Sequence, residues 1–323
     1  MTSARFRVTP ALVRWVAFAS LLANVGIVLT GGAVRLTGSG LGCPTWPRCT
    51  DDSWTSTPEM GIHGAVEFGN RTLTFLLGAL AIAGLIAAWR LRPRRRSLVW
   101  LAALVLAGIA VQAVLGGITV LTDLNPWVVG GHFLVSIAII AVAFTFWRRA
   151  GEPHDGPARP TVPGPLRPLV WLIIGTTAAL LAMGTVVTGA GPHAGDANVA
   201  RNSLDPQTVT QAHSGLAYLL LGLTVAAVLA LRAVGAARPA VVAAVALVAA
   251  IVAQGIVGLV QYFTGLPELL VWLHLLGSCL VWLAALQLQH ATRTRQPVPT
   301  SPPTHVDHGV LARHAVAHAD RTP

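Results

Sequence analysis

Lysine is absent from this chain, and charge of either sign is scarce: 22 basic residues, all arginine, and 12 acids in 323 positions. With 11% charged against 54% hydrophobic residues, there is too little polar surface to clothe a soluble globule. The arginine clusters have no aromatic residues interleaved, so the formal net charge of +10 does not point to nucleic acid. No small-x-small cleavage site closes the first apolar run, which is expected to stay as an anchor and not to leave as a secretory signal.

What the chain does have is apolar runs of about 20 residues, the length that spans a bilayer core as helix. Spans are expected near residues 11–30, 73–89, 97–121, 128–147, 168–189, 210–231, 239–262 and 269–288. The fold class that follows is an all-α polytopic membrane protein of eight transmembrane helices. Arginines crowd alternate connections, at the N-terminus, residues 90–96, 148–167 and 232–238, and the tail. The opposite face holds only Arg35, Arg48, Arg71 and Arg201, with most of the acids. The positive-inside rule makes the arginine-rich side, and both termini, cytoplasmic in a cell membrane.

A repeat divides the chain. Gln112-x-x-x-Gly116 precedes His132 by the same interval that Gln254-x-x-x-Gly258 precedes His274, at an offset of 142. Thr30-Gly31 and Thr188-Gly189 end the first helix of each half. Two tandem four-helix bundles related by a pseudo-twofold axis along the membrane normal account for this. The expected divisions are residues 1–150, a linker at 151–167, residues 168–290, and a disordered cytoplasmic tail at 291–323 carrying His305, His308, His314 and His318.

Ionisable groups near hydrocarbon are functional candidates. His132, His213 and His274 fall near the outer ends of helices. Two imidazoles from different helices at one depth suit a haem iron ligated from both sides, and no cysteine or carboxylate stands near enough in sequence to complete a zinc site. In the first half, Thr57-Pro58 reads as the start of the second helix, from which His63, Glu67, Asn70 and Arg71 project to one side. The loop before it holds Cys43 and Cys49, for which an oxidising compartment makes a disulfide the default. No Cys-x-x-Cys-His occurs, so covalent haem attachment is excluded. Cys279 lies within the last helix as a buried thiol.

The glycine-rich loop ending in Cys43-Pro44-Thr45-Trp46-Pro47-Arg48-Cys49, the Glu67-Phe68-Gly69-Asn70-Arg71 segment and the paired outer histidines together resemble the haem A synthase family. The likeness runs from about residue 13 to 287. It implies oxidation of the C8 methyl group of haem O to a formyl group, giving haem A for cytochrome oxidase. It further implies a haem b cofactor ligated by His213 and His274, a substrate haem on the His132 side, and Glu67 as catalytic carboxylate. The family pattern has His three residues after this Glu, where the chain has Asn70; His132 alone is expected to hold the substrate iron, with His63 the alternative. Arg35 and Arg71 are candidate partners for haem propionates. Partners implied are haem O, an upstream haem O synthase, oxidase assembly factors, membrane lipid and a second copy of the chain. The rival functions are a di-haem b electron-transfer protein acting on quinol, which gives Glu67 and the cysteine loop no role, and a transporter, for which broken helices are wanting.

Overall fold

Hydrocarbon offers backbone groups no water to bond, so each apolar run must close its own hydrogen bonds as helix. In the computed structural model, which describes residues 8–153 and 155–295, the runs form α1 (Pro10–Leu36), α2 (Gly61–Arg90), α3 (Arg96–Leu121), α4 (Pro126–Ala150), α5 (Leu166–Ala190), α6 (Pro206–Ala233), α7 (Arg238–Phe263) and α8 (Glu268–Ala291). All eight are long and apolar enough to cross a bilayer. Proline stands in the first turn of α1, α4, α6 and α7, where its missing N–H would have had no helical partner. Side chains of Thr9, Asn125 and Asp205 cap the first, fourth and sixth helices. Exposed Trp15 and Trp100 ring the arginine-rich end, and exposed Trp127 and Tyr262 the other, as aromatic belts do at membrane interfaces.

Within each set of four, every helix packs on the next and the last returns to the first. Between sets, α4 meets α5 and α8, and α1 meets α8. A pseudo-twofold relation asks for this pattern, because it exchanges α1 with α5 and α4 with α8. Indole N–H groups of α8 seal the contact: Trp272 donates to the Leu29 carbonyl (2.9 Å) and Trp282 to that of Ile137 (3.0 Å).

Three expectations need correction. Helix α1 continues past residue 30 to Leu36, because Gly32, lacking a side chain, lets α1 lie against Leu275 of α8. Thr57-Pro58 opens a separate 3-10 turn (Pro58–Met60), and α2 starts only at Gly61, which turns the chain at φ +59°. The tail is not structureless from residue 291: Arg293–Arg295 forms a strand, β2, antiparallel to β1 (Ala158–Pro160) in the linker. Arg295 secures this ribbon, its Nε 2.9 Å from Glu152 Oε2 and its Nη1 donating to the Gly156 carbonyl. Residues 296–323, with the four tail histidines, lie outside the described residues.

Beside the ribbon, Asp155 accepts from Ser97 and pairs with Arg149 at 3.0 Å. Partial burial opposes its ionisation, but the Ser97 bonds and the guanidinium groups of Arg149 and Arg95 outweigh that and hold its carboxyl below the usual range.

Candidate functional site: an imidazole pair and a clamped carboxylate

His213 and His274 each stand about two turns inside their helices, α6 and α8, at the end away from the arginine clusters. Their ring centres are 6.4 Å apart and the planes are inclined by 60°. Each ring edge rests on a glycine of the preceding helix. A Cβ at Gly184 of α5 would stand 3.3 Å from His213 Cε1, and one at Gly258 of α7 only 3.1 Å from His274 Cε1. From α7, Gln254 donates its amide to the His274 carbonyl at 2.6 Å, fixing the register of α8. The His274 Nδ1 is buried without a hydrogen-bond partner, whereas the His213 ring lies within reach of the Leu180 backbone of α5.

The first half repeats this unit once. Gln112 of α3 donates to the His132 carbonyl (2.9 Å) and to the Ser136 hydroxyl. A Cβ at Gly116 would meet His132 Cε1 at 3.4 Å, and His132 Nδ1 is likewise buried without a partner. The Gln-x-x-x-Gly and His repeat is therefore a physical device. The amide holds the fourth helix, and the glycine one turn on makes room for the ring.

At the position answering to His213, the first half has Asn70, whose side-chain oxygen accepts from Thr30 of α1 (2.7 Å). His63 is exposed, with Nδ1 2.9 Å from the Ser39 hydroxyl. Among the described residues, neither bonds to His132.

Glu67 is buried at 5% exposure and both its oxygens are engaged. Oε2 accepts the Cys43 N–H at 2.5 Å, and Oε1 accepts from Arg71 Nε (3.0 Å) and Nη2 (2.5 Å). Arg71 also donates to the carbonyls of Cys43 (2.9 Å), Thr45 (2.9 Å) and Arg48 (3.2 Å). The fork spaced one turn from its carboxylate thus clamps the loop closed by the Cys43–Cys49 disulfide onto α2. Cys279 is free and buried.

Arg71 is therefore committed to the loop. Arg35 spends one N–H on the Thr188 carbonyl of α5 at 2.8 Å, tying α1 to the second half. Three features were not picked out from the sequence. Gly184 belongs to no repeated motif, and only the ring lying on it reveals it. Arg201, which acts electrostatically on Arg35 and buries Nη1 without a partner, carried a signal as one of the few outer-face arginines. The third is the role of Arg71 as clamp, whose i, i+4 spacing from Glu67 was visible.

Two imidazoles each about 2.0 Å from one iron would set their ring centres roughly 6 Å apart, so the 6.4 Å pair suits a haem held from both faces. Among the described residues no three His, Cys, Asp or Glu side chains gather to hold a metal on protein ligands alone.

Residues 14–62 and 55–286 match the family described as cytochrome oxidase assembly protein. The chain is 31% identical over 182 residues to a haem A synthase of Symbiobacterium thermophilum, covering 53% of this chain and 58% of that protein. A haem A synthase of Geobacillus kaustophilus is 29% identical over 132 residues, 40% of each chain. One of Bacillus pumilus is 34% identical over 118 residues, 36% of this chain and 38% of its own. The chain thus matches less than two thirds of the length of each of these relatives. The family match takes in all eight helices and every residue of the site just described, and the chain belongs to the cytochrome oxidase assembly protein family, that of the haem A synthases.

Proposed function

We propose that the protein is a haem A synthase, an oxidoreductase that converts the C8 methyl group of haem O to a formyl group. The observation that carries this is an asymmetry at one end of the molecule. One half has paired imidazoles, and the other has a single imidazole together with a buried carboxylate. A di-haem b electron-transfer protein would use the first arrangement twice and gives the second no role.

In this reading residues 168–290 form the cofactor half, where His213 and His274 hold a b-type haem. When bound, that group supplies a one-electron relay. Residues 1–150 form the substrate half, where His132 receives the iron of haem O. The net change is R–CH3 + H2O → R–CHO + 4 e− + 4 H+, with the four electrons passing to an external electron acceptor, so the reacting carbon becomes electron-poor on the way. Glu67 offers negative charge to that carbon, pre-organised by Arg71 and the Cys43 N–H. With both oxygens already accepting hydrogen bonds, the carboxylate is better suited to electrostatic stabilisation than to covalent capture. Arg35, with N–H groups beyond its bond to Thr188, is the better propionate partner of the two arginines. The arginine-rich ends face the cytoplasm with both termini, and the sites face outward. Haem O would arrive from the enzyme that farnesylates haem, and haem A would pass on to cytochrome oxidase assembly.

The test is to purify the full chain from cells that make haem O and to identify its extracted haems by liquid chromatography. Haem b together with haem O or haem A is expected. Haem b alone would favour the electron-transfer rival, and no haem a transporter.

A further inference from the structure

At the arginine-rich end, α1 and α4 enclose a pocket of about 120 Å³ lined by Arg14, Trp147, Arg148, Gly151 and Glu152. None of these residues belongs to the haem-facing site. We propose that this pocket binds the phosphate of an anionic phospholipid.

Among the described residues, neither Arg14 nor Arg148 has a carboxylate within ion-pair distance. The two nearby acids stand closer to other guanidinium groups, Glu152 to Arg295 (2.9 Å) and Asp155 to Arg149 (3.0 Å), although Glu152 also lines the pocket and attracts Arg148 electrostatically. Arg148 also buries its Nε without a hydrogen-bond partner. The dipole at the end of α4 favours a cation there, which accounts for the presence of Arg148. It does not account for a second guanidinium brought to the same place from another helix.

Gly151 follows the last residue of α4, and a Cβ there would stand 3.2 Å from Arg14 Nε and 3.3 Å from its Cζ. Its missing side chain is what lets the Arg14 guanidinium lie over the end of α4. Trp147 forms a firm floor, with Arg148 stacked over its ring at 5.5 Å and Phe18 of α1 against it at 5.2 Å.

Trp15, 69% exposed, stands next to Arg14 in sequence and marks the interface level. Leu22, two turns further along α1, is 54% exposed and offers an apolar wall for acyl chains. A basic pocket between helices at headgroup level, continuous with an apolar face, fits a phosphate that carries lipid chains.

Native mass spectrometry of the full chain, released from nanodiscs of phosphatidylcholine with or without phosphatidylglycerol, decides the matter. The wild type should retain one phosphatidylglycerol that phosphatidylcholine does not replace. Arg14→Gln with Arg148→Gln should weaken retention roughly thirtyfold, about fivefold for each guanidinium near the surface. Gly151→Val leaves both charges in place and fills the pocket, so it should also lose the lipid, and it serves if the double variant folds poorly. Equal retention by wild type and Gly151→Val would overturn the proposal. So would displacement of the lipid by millimolar inorganic phosphate, which would make the ligand a free anion. Neither result bears on haem content, so the proposal can fail without the haem A synthase reading.

Discussion

Replacing Glu67 by Gln separates catalysis from architecture. The carboxylate accepts three hydrogen bonds, two from Arg71 and one from the Cys43 N–H. Gln keeps the shape and one acceptor oxygen but loses the charge. Breaking a fully buried ion pair by removing one partner costs about 3–5 kcal/mol. Here Arg71 keeps the carbonyls of Cys43, Thr45 and Arg48 and is partly exposed, so the cost should fall nearer the roughly 1–3 kcal/mol of a charge-assisted hydrogen bond. That loss loosens the loop without unfolding eight helices. The catalytic loss is separate: removing a group that stabilises developing charge commonly lowers the rate on the order of a hundredfold or more.

Haem O should therefore accumulate as haem A falls, at constant haem b per protein, measured by chromatography of extracted haems. Arg71→Lys is the control for architecture, because it keeps the cation but loses the fork that grips the loop. If Glu67 serves only as a clamp, the two variants will shift the haem A to haem O ratio alike, in step with protein yield. A wild-type ratio in Glu67→Gln would refute the catalytic role.

Replacing either His213 or His274 by Leu should abolish the low-spin two-histidine spectrum; a double variant that keeps it would remove both as ligands. In membrane-isolated protein Cys43 and Cys49 should resist alkylation until reductant is added, and full labelling without reductant would contradict the disulfide. Asn70→His should convert the His132 side to two-histidine ligation and trap substrate haem, read as a second low-spin species with slowed product release; an unchanged spectrum would count against pairing across these helices. The pKa of Asp155 is depressed in the folded state, so its contribution is present above the unfolded value and is lost as pH falls through the folded one. Below about pH 4 the ribbon should loosen, read as faster amide exchange at Thr161, whose N–H bonds the Thr292 carbonyl across it; unchanged exchange would refute the link.

The eight spans were legible because hydropathy at bilayer length tolerates few alternatives. The paired Gln, Gly and His were legible because polar residues at fixed spacing stand out among Leu and Ala. What the sequence hid is non-local. The ribbon joins two three-residue strands, Ala158–Pro160 and Arg293–Arg295, too short to show alternation. The clamp on Cys43 bridges 24 positions between a helix and an irregular loop, and no local pattern foretells docking of that kind. Gly184 is one glycine among 32, and only the ring that rests on it gives it meaning.

Among their differences, the two halves diverge at the position that holds His213 in one and Asn70 in the other, and this divergence suits their proposed tasks. Thr30 aligns with Thr188, so Gly26 answers to Gly184. A Cβ at Gly184 would press on His213, whereas one at Gly26 would meet nothing within 4 Å. The glycine floor persists in α1, but no ring lies on it, because Asn70 turns aside to Thr30. His213 and His274 would hold an iron between them, which suits a resident cofactor. One imidazole leaves a face open, as a porphyrin that must enter, react and leave requires. Asn70 stands on the same helix as Glu67, which the disulfide loop holds through the Cys43 N–H. In the proposed function, the paired rings of one half serve retention and the single ring with its clamped carboxylate in the other serves turnover.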